Sequence, residues 1–338
     1  MTFDLPTPQG RTNYSEIPSE YASALEKAKA LFAEHTDPSK DSEWEDAGNR
    51  EEVQLSKKTN PENAYDVPIV KGSTIVENAT PSQVLAVIQQ PGMRKKWDPR
   101  FDNATQLDRY GPQKYAFYTW MKSPSYFVWA RDIVGVQENV ISDGGSKIQV
   151  YQTSVEADQF IDEAGSYSKS RTRATLEVSA WDLVKDGDNT KVTYVVKIHL
   201  NGSLPTSVVS MVATETPMCV GRVRDTYYSN GHLPYDAAWE DGKASDKDSI
   251  LRYSEYEDGD GSEASSGKKQ WSIWYQAVGE DTIKIRFDNQ KLYTSLNVAV
   301  EGEAASDVTA DVDQDAGLVT VKVADGAKGK GFSLVFTP

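Results

Sequence analysis

Five consecutive segments between residues 114 and 200 are rich in aromatic and β-branched residues, and they constrain the fold more than any other feature of the chain. Turn signals separate them, as at Ser123-Pro124 and Asp186-Gly187. Short segments of this composition with turns between them predict the strands of an antiparallel sheet. Many carry bulky side chains on both faces, so one face is expected to pack a helix while the other closes the sheet. The segments are 114–121, 126–138, 147–155, 173–184 and 190–200.

Two helical patterns flank this run of strands. Residues 18–35 place apolar side chains three and four positions apart, which predicts an amphipathic helix. Residues 205–228 carry a more apolar pattern that begins at Pro205. Pro217 lies inside that pattern, and an interior proline removes a hydrogen bond and clashes with the preceding turn. We therefore expect the second helix to be kinked at Pro217.

Three weaker patterns precede the run of strands. Residues 42–58 are a charged strand candidate, and 65–77 read as a strand that is interrupted at Gly72. Thr80-Pro81 predicts the start of a helix that continues to Gln90, because proline is favoured at the first helical position.

The C-terminal third of the chain has a different composition. Residues 236–270 are rich in Asp, Glu, Ser, Gly and Lys, which is typical of a linker. Residues 271–338 return to short β-rich segments separated by turns, which predicts a small sandwich or an appended sheet. Trp271, Trp274 and Tyr275 in this part are expected either to contact a partner or to pack against the main domain.

The overall charge excludes one class of partner. The net charge is −15 and the isoelectric point is about 4.8, whereas binding to a nucleic-acid backbone requires clustered Lys and Arg.

Cys219 is the single cysteine, so no intramolecular disulfide can form, which fits a reducing compartment. Residues 1–20 lack the apolar core of a signal peptide, and no stretch approaches the roughly 18 apolar residues of a membrane-spanning helix. The sequence therefore predicts a cytoplasmic protein.

Four short motifs occur in a distinctive order along the chain. They are Trp97-Asp98-Pro99, Arg131-Asp132, Trp181 and Gly202-Ser203-Leu204-Pro205. In this order they resemble the START family of lipid-binding domains, and they span about residues 65–230. Two positions depart from the family pattern: Asn201 stands where members often carry Asp, and Pro217 interrupts the final helix.

The resemblance implies an α+β helix-grip fold, in which a curved antiparallel sheet wraps around a long C-terminal helix. We expect residues 1–235 to form this START-like domain, 236–270 an acidic linker and 271–338 a small all-β C-terminal module. The fold further implies an internal tunnel that holds one hydrophobic ligand, which is a sterol, phospholipid, fatty acid or isoprenoid. The ligand-binding residues expected on this basis are Tyr118, Trp120, Phe127, Trp129, Arg131, Gln137, Val209 and Val212.

The resemblance also bears on the ligand's polar end. Sterol-binding members carry a buried carboxylate–arginine pair on neighbouring strands. Counting without gaps from Arg131-Asp132, those places hold Tyr118 and Gln137, which are neutral. This placement predicts a pocket without a buried charge, suited to a hydroxyl, ester or carbonyl rather than a phosphate. Arg131 itself is expected either to pair with a carboxylate or to contact a lipid head group.

Two further expectations concern the wall and the gate of the tunnel. Trp97 has an apolar ring and one N–H, so it suits a rim that it fills without touching the ligand. Asp98 can accept backbone N–H groups in the turn that follows. Pro217 and the polar loop 156–170 are the candidate gate, and transfer implies transient contact with a membrane.

Signals for catalysis and metal binding are weak. His35, His199 and His232 lie far apart and lack ligand spacing, so we expect neither a metal nor a cofactor. Because the positions expected to face inward are mostly apolar, a lipid-binding or transfer protein is favoured over an enzyme. Two alternatives stay open: a polyketide cyclase-like enzyme of the same fold superfamily, and an interaction module that senses lipid and targets the protein through its β-rich tail.

Overall fold

A large antiparallel sheet forms the centre of the protein. The structure, a computed structural model, describes residues 13–60, 66–123, 128–156, 171–202, 204–241, 249–258 and 269–338. Its strands are β1 Glu45–Arg50, β2 Val53–Lys58, β3 Ile69–Val76, β4 Phe101–Gly111, β5 Lys114–Met121, β6 Ala130–Ser142, β7 Lys147–Ser154, β8 Arg171–Arg173, β9 Thr175–Asp186 and β10 Asn189–His199. The order across the sheet is β1-β2-β3-β10-β9-β7-β6-β5-β4, and β8 pairs with β6 in parallel.

Helices cover both faces of this sheet. They are α1 Ser19–Thr36, α2 Pro81–Gln89, α3 Pro91–Trp97, α4 Thr206–Glu215 and α5 Cys219–Asn230. Short 3₁₀ turns occur at Pro38–Glu43, Asp143–Gly145, Ala237–Trp239, Ala305–Asp307 and Asp325–Ala327. No helix among the described residues is long and apolar enough to cross a membrane.

Helix α1 packs on one face of the sheet through the apolar stripe that its sequence predicts. Tyr21, Leu25, Ala28 and Phe32 are all buried against the sheet. The ring of Phe32 meets that of Tyr151 edge to face, with 5.7 Å between the ring centres. This face of the sheet is closed by interdigitating side chains, as packing of a helix on a sheet requires.

Helices α2 and α3 lie on the opposite face. Thr80 caps α2 by accepting the backbone N–H of Gln83, whose side chain accepts the N–H of Thr80 in return. Pro91 begins α3 one residue after Gln90, the position at which the sequence predicts the end of the preceding helix, and Gly92 is the second residue of α3. Trp97 is the last residue of α3 and is buried.

The final helical pattern is split, as Pro217 predicts. Helix α4 ends at Glu215 and α5 begins at Cys219, because Pro217 cannot continue the hydrogen bonds of the preceding turn. The split packs closely on the sheet: a Cβ added to Gly72 would lie 2.2 Å from the carbonyl oxygen of Pro217. Strand β3 therefore runs unbroken through Gly72, and the glycine provides space rather than the expected interruption.

The C-terminal module consists of strands β11–β18. They are β11 Tyr235–Asp236, β12 Ile250–Asp258, β13 Lys269–Gln276, β14 Asp281–Arg286, β15 Asn297–Glu301, β16 Val308–Asp313, β17 Leu318–Val323 and β18 Gly331–Thr337. Within the described residues they form two four-stranded sheets, ordered β11-β14-β17-β16 and β12-β13-β18-β15. Side chains from both sheets share one core with α2, α3 and α5. The α+β fold with an added all-β module is thus confirmed.

The aromatic residues of the module are mostly internal. Trp271 packs edge to face on Phe336, and Tyr275 stacks on Phe332. Trp274 is partly exposed. Strands β11 and β12 fall at or inside the stretch that the sequence indicated as a linker, so the module starts earlier along the chain than its β-rich pattern does. Within that stretch, residues 242–248 and 259–268 lie outside the described residues.

Candidate functional site

A cavity of about 100 Å³ lies between the sheet and the split helix. Strands β5, β6, β7, β9 and β10 form its floor, and α4 and α5 form its roof. Apolar side chains make up most of the lining, among them Phe117, Ile133, Leu176, Val196, Ile198 and Val212.

Strand alternation decides which side chains reach this cavity. Successive side chains of a strand point to opposite faces. On β5, Phe117 and Thr119 line the cavity, whereas Tyr118 and Trp120 belong to the core beneath α1. On β10, Val196 lines the cavity and Val195 packs under α1. The register of β5 and β10 therefore directs alternate residues to the core under α1 and to the opposite face, where Phe117 and Val196 belong to the main core and also line the cavity.

A second, smaller cavity of about 40 Å³ adjoins the first. Phe117 and Arg94 line both cavities, so these side chains are part of the partition between them. Phe117 on β5 pairs with Gly135 on the neighbouring strand β6. A Cβ added to Gly135 would lie 2.6 Å from the phenyl ring of Phe117. A larger residue at Gly135 would push the partition away from the sheet.

A cluster of charges lies where α3 meets the cavity. The carboxylate of Asp98 is buried and accepts two hydrogen bonds from Arg94, at 3.2 and 3.0 Å. Arg100 approaches the same carboxylate at 3.6 Å and donates to the hydroxyl of Thr216 at 2.7 Å. Burial opposes ionisation of Asp98, but the two guanidinium groups outweigh it and hold the pKa of this carboxyl below its usual value. Two half-buried cations thus share one buried anion.

Arg131 adds a third guanidinium to the lining. It donates to the carbonyl oxygens of Leu200 and Asn201, at 3.2 and 3.1 Å, and to that of Trp129. Among the residues that the structure describes, no carboxylate pairs with it. Burial lowers the pKa of Arg131, yet an arginine stays charged at neutral pH. The expected structural pair with a carboxylate is therefore absent from this part of the chain.

Asp132 follows Arg131 but faces the other side of the sheet. Its carboxylate accepts hydrogen bonds from Arg173 at 2.9 Å and from the hydroxyl of Tyr118 at 2.7 Å. The Arg-Asp motif thus supplies one residue to each face.

The residues expected to bind ligand are spread over several environments. Arg131 and Val212 line the main cavity, and Val209 is buried on α4 without reaching it. Tyr118 and Trp120 lie on the α1 face. The cavity also contains buried charge, contrary to the expectation drawn from Tyr118 and Gln137.

The other expected residues lie away from the main cavity. Gln137 lines the smaller cavity and donates to Asn139 at 2.9 Å. Trp129 is 64% exposed on the loop before β6. Phe127 and the loop residues 157–170 of the candidate gate lie outside the described residues.

Arg94 and Arg100 are the functional candidates that the sequence interpretation missed. Both lie beside Trp97-Asp98-Pro99, in a stretch that reads as a charged turn. One signal was present: Arg94 and Asp98 are four positions apart, a spacing at which opposite charges pair on a helix. The buried position of that pair was not visible, because it depends on the sheet beneath it.

Trp97, which was expected at the rim, is buried and does not line the cavity. Its indole N–H donates to the carbonyl oxygen of Val87 at 3.0 Å, and its ring meets that of Trp181 edge to face. Asp98 accepts the backbone N–H of Arg100 at 3.2 Å. The contacts of Trp97 with Val87 and Trp181 lie outside the set of residues that line the cavity.

Among the described residues, no three His, Cys, Asp or Glu side chains are placed to hold a metal ion. Burial raises the pKa of the Cys219 thiol, so it is protonated at neutral pH.

Comparisons with known proteins agree with this architecture. The family model described as START domain matches residues 26–226. The crystal structure of human STARD10 is 15% identical, covers 64% of this chain and 82% of its own, and has a TM-score of 0.52. Human StAR-related lipid transfer protein 5 is 17% identical, covers 62% of this chain and 97% of its own, and has a TM-score of 0.51. No curated protein matches the sequence.

Proposed function

The chain belongs to the START domain family, and we propose that it carries one amphiphilic lipid in the cavity between the sheet and helices α4 and α5. The single observation that carries this proposal is a largely apolar cavity with charged groups confined to part of its wall. Ligand pockets typically combine an apolar lining with a few placed polar groups. The name of the human lipid transfer protein with the same fold supports the same class of ligand.

The size of the cavity indicates that loading requires movement. About 100 Å³ is less than the roughly 300–1,000 Å³ of ligand pockets, so an acyl chain does not fit the protein as it stands. Helix α4 is held less firmly than α5, because its buried residues are only Val208, Val209 and Val212, whereas α5 buries six residues. We propose that α4 swings outward and that Phe117 turns aside, which would join the two cavities.

The charges favour a lipid with an acidic head group. Arg94, Arg100 and Arg131 face the cavity with the single carboxylate of Asp98, so positive charge is in excess. A carboxylate or phosphate head would neutralise that excess through charge-assisted hydrogen bonds. This replaces the neutral head group expected from the sequence, and among the candidate ligands it favours fatty acids and phospholipids over sterols and isoprenoids.

Energetics fits a carrier better than a storage site. Burying about twenty methylene groups is worth roughly 16 kcal/mol at ~0.8 kcal/mol each, but a bilayer offers a similar gain. Exchange between protein and membrane can thus lie near balance, with the barrier in the opening of the roof. We place this carrier in the cytoplasm, where the single cysteine stays reduced.

Trp129 is the proposed point of membrane contact. It is 64% exposed, next to Val128, which packs with Val208 and Val212 of α4. An exposed indole suits the boundary between head groups and acyl chains. Contact there would set the moving helix at the membrane surface.

The first test is mass spectrometry of the purified full chain under native conditions, beside a denatured sample extracted with organic solvent. We expect a bound acid of low molecular mass in the native sample and in the extract. A protein whose native mass equals that of the bare chain, and which takes up no lipid from vesicles, would contradict the proposal.

The second test compares two ligands that differ only in the head. Dodecanoate and dodecanol are titrated by calorimetry into delipidated protein. A charged hydrogen bond contributes about 1.5–3 kcal/mol, so we expect dodecanoate to bind at least about tenfold more tightly. Equal affinity would retain the carrier but reject the acidic head group.

A further inference from the structure

We propose that the C-terminal module positions the ligand site: it clamps helices α3 and α5 against the sheet and leaves α4 as the moving wall. This inference rests on the proposed function, since it assigns the module a role in holding the charged groups of the cavity. It is carried by two separate contact areas between the module and the START domain, one on each clamped helix.

The first contact area joins strand β12 to α3. A Cβ added to Gly92 would lie 2.2 Å from the carbonyl oxygen of Tyr256, so helix and strand meet at backbone distance. Gln90 and Ser254 exchange two hydrogen bonds of 3.1 Å each, in which the Gln90 amide donates to the Ser254 carbonyl and the Ser254 hydroxyl donates to the Gln90 side chain. Lys96 pairs with Asp258 further along the same two elements.

Helix α3 carries the charges that face the ligand. Arg94 lies on it, and Asp98 follows its last residue directly. A helix of this length is marginal on its own, so its position depends on what packs against it. By holding Gln90 and Gly92 at the start of the helix, β12 fixes the direction from which Arg94 and Asp98 enter the cavity.

The second contact area lies at the C-terminus of α5. Lys291 of the module donates to the carbonyl oxygens of Tyr228 and Tyr227, at 2.8 and 3.4 Å. A cation at this end satisfies terminal carbonyl groups and complements the helix dipole. Asp288 accepts the backbone N–H of His232 at 3.2 Å and packs against Gly231, where a Cβ would lie 1.6 Å from its carboxylate oxygen. The module thus hydrogen-bonds to, and packs against, the C-terminal end of α5.

Helix α4 is attached differently. Its buried valines Val208 and Val212 form a small cluster with Val128, and its partly buried Ala213 packs against the main core, which α5 joins through the buried Cys219 and Val223. The break between the two helices is anchored to the START domain itself, where Gly72 receives Pro217.

Arg100 holds the same break through its hydrogen bond to Thr216. The hinge of the roof therefore lies at residues 216–218. With α5 and α3 clamped, opening would move α4 alone.

The test compares two double variants of the full chain. S254A/K291M removes one hydrogen bond from the contact with α3 and two from the contact with α5, and neither residue lines the main cavity. K284M/S306A is the matched control, with the same residue types changed at exposed positions of the module. Each protein is measured by amide hydrogen exchange and by titration with dodecanoate and dodecanol.

We expect exchange in 91–97 and 219–230 to rise about tenfold in S254A/K291M, since each lost hydrogen bond is worth about 0.5–1.5 kcal/mol. Exchange in 19–36 is expected to stay unchanged. The preference for dodecanoate over dodecanol should fall about fivefold, because looser α3 holds its charges less well. The control should match the unmodified protein in every measurement.

Unchanged exchange at both helices would overturn the clamp. Faster exchange with an unaltered preference for dodecanoate would overturn the positioning role, because a purely structural contact changes stability without changing selectivity. If the unmodified protein binds neither ligand, the proposed function fails, and the exchange measurement still decides whether the clamp exists.

Discussion

The two faces of the large sheet are built from the same strands but are used differently. On the α1 face, Phe32, Tyr118 and Val195 pack into a closed core. On the opposite face, Phe117 and Val196 belong to the main core and also border a cavity. Neighbouring positions along one strand therefore serve separate purposes, with one set of side chains holding the fold and the other shaping a space.

The difference shows where the side chains of this fold are packed less completely. A closed core gains the dispersion and hydrophobic contacts of every buried side chain. The cavity face forgoes some of these contacts and also buries Asp98, where burial raises the pKa but Arg94 and Arg100 hold it below its usual value. A region with both a void and buried charge is stable only if other parts of the molecule supply the missing stability, and the α1 face is one such part.

The largest expected effect concerns the filled face. Phe32→Ala should lower the free energy of unfolding by about 3–5 kcal/mol, because a fully buried ring is removed from a close-packed core. Denaturation in urea measures this loss, with Lys27→Ala on the exposed side of α1 as the control. Affinity for dodecanoate in native buffer should stay the same. A change below about 1 kcal/mol would mean that the α1 face is not the closed core described here.

The next effect concerns the charged wall. Arg100→Gln removes one of the two cations that share Asp98, and it should weaken dodecanoate binding by about tenfold or more. Dodecanol binding should change little, because the alcohol has no charge to lose. Arg286→Gln is the control, because this arginine pairs with Glu240 and does not line the cavity. An equal loss for both ligands would assign Arg100 a structural role at the hinge.

A smaller effect is expected at Trp129, on the exposed loop before β6. Trp129→Gln should reduce binding to neutral phosphatidylcholine vesicles about five- to tenfold, since an indole at the interface contributes roughly 1–2 kcal/mol. Ile75→Gln is the matched control, because Ile75 is also a large exposed apolar residue, at 46%. Co-sedimentation with vesicles measures both. Equal losses would show that general surface hydrophobicity, and not a specific contact through Trp129, governs binding to the membrane.

The smallest effect is a pH dependence of the filled face. His35 is buried on α1, neither ring nitrogen has a hydrogen-bond partner in the described part of the chain, and burial lowers its pKa. The unfolded chain, with a histidine pKa of about 6.5, then binds the proton first as the pH falls. Stability should therefore decline from about pH 6.5 towards the lower folded pKa.

His35→Phe should reduce this decline, measured as the difference in Tm between pH 7.5 and pH 5.5. A share should remain from His232, whose pKa burial also lowers. An undiminished decline in His35→Phe would show that His35 is not the titrating group.

Much of the architecture could be predicted because it depends on local patterns. The segment 114–121 coincides with β5, and Pro217 marked the break between α4 and α5. Strand β12 was harder, because its charged and polar residues outnumber the apolar ones and only pairing with β13 makes it a strand. Gly72 looked like an interruption because the sequence does not show that Pro217 packs on it.

The site was predicted less well than the fold, for a geometric reason. A shift of one residue in strand register exchanges the two faces, so Tyr118 was expected where Phe117 is found. Arg94 and Arg100 were missed because their burial comes from strands far away in the sequence. A composition that identifies a strand does not identify which of its faces borders a cavity.

The adjacent residues Val195 and Val196 on β10 test the central claim most directly. Val195→Phe adds bulk to the closed α1 face and should cost about 1–3 kcal/mol of unfolding free energy while binding persists. Val196→Phe places the same ring in the cavity, so it should change stability by less than about 1 kcal/mol and abolish dodecanoate binding. If both variants were equally destabilised and Val196→Phe still bound dodecanoate, the division into a filled and a hollow face would be contradicted.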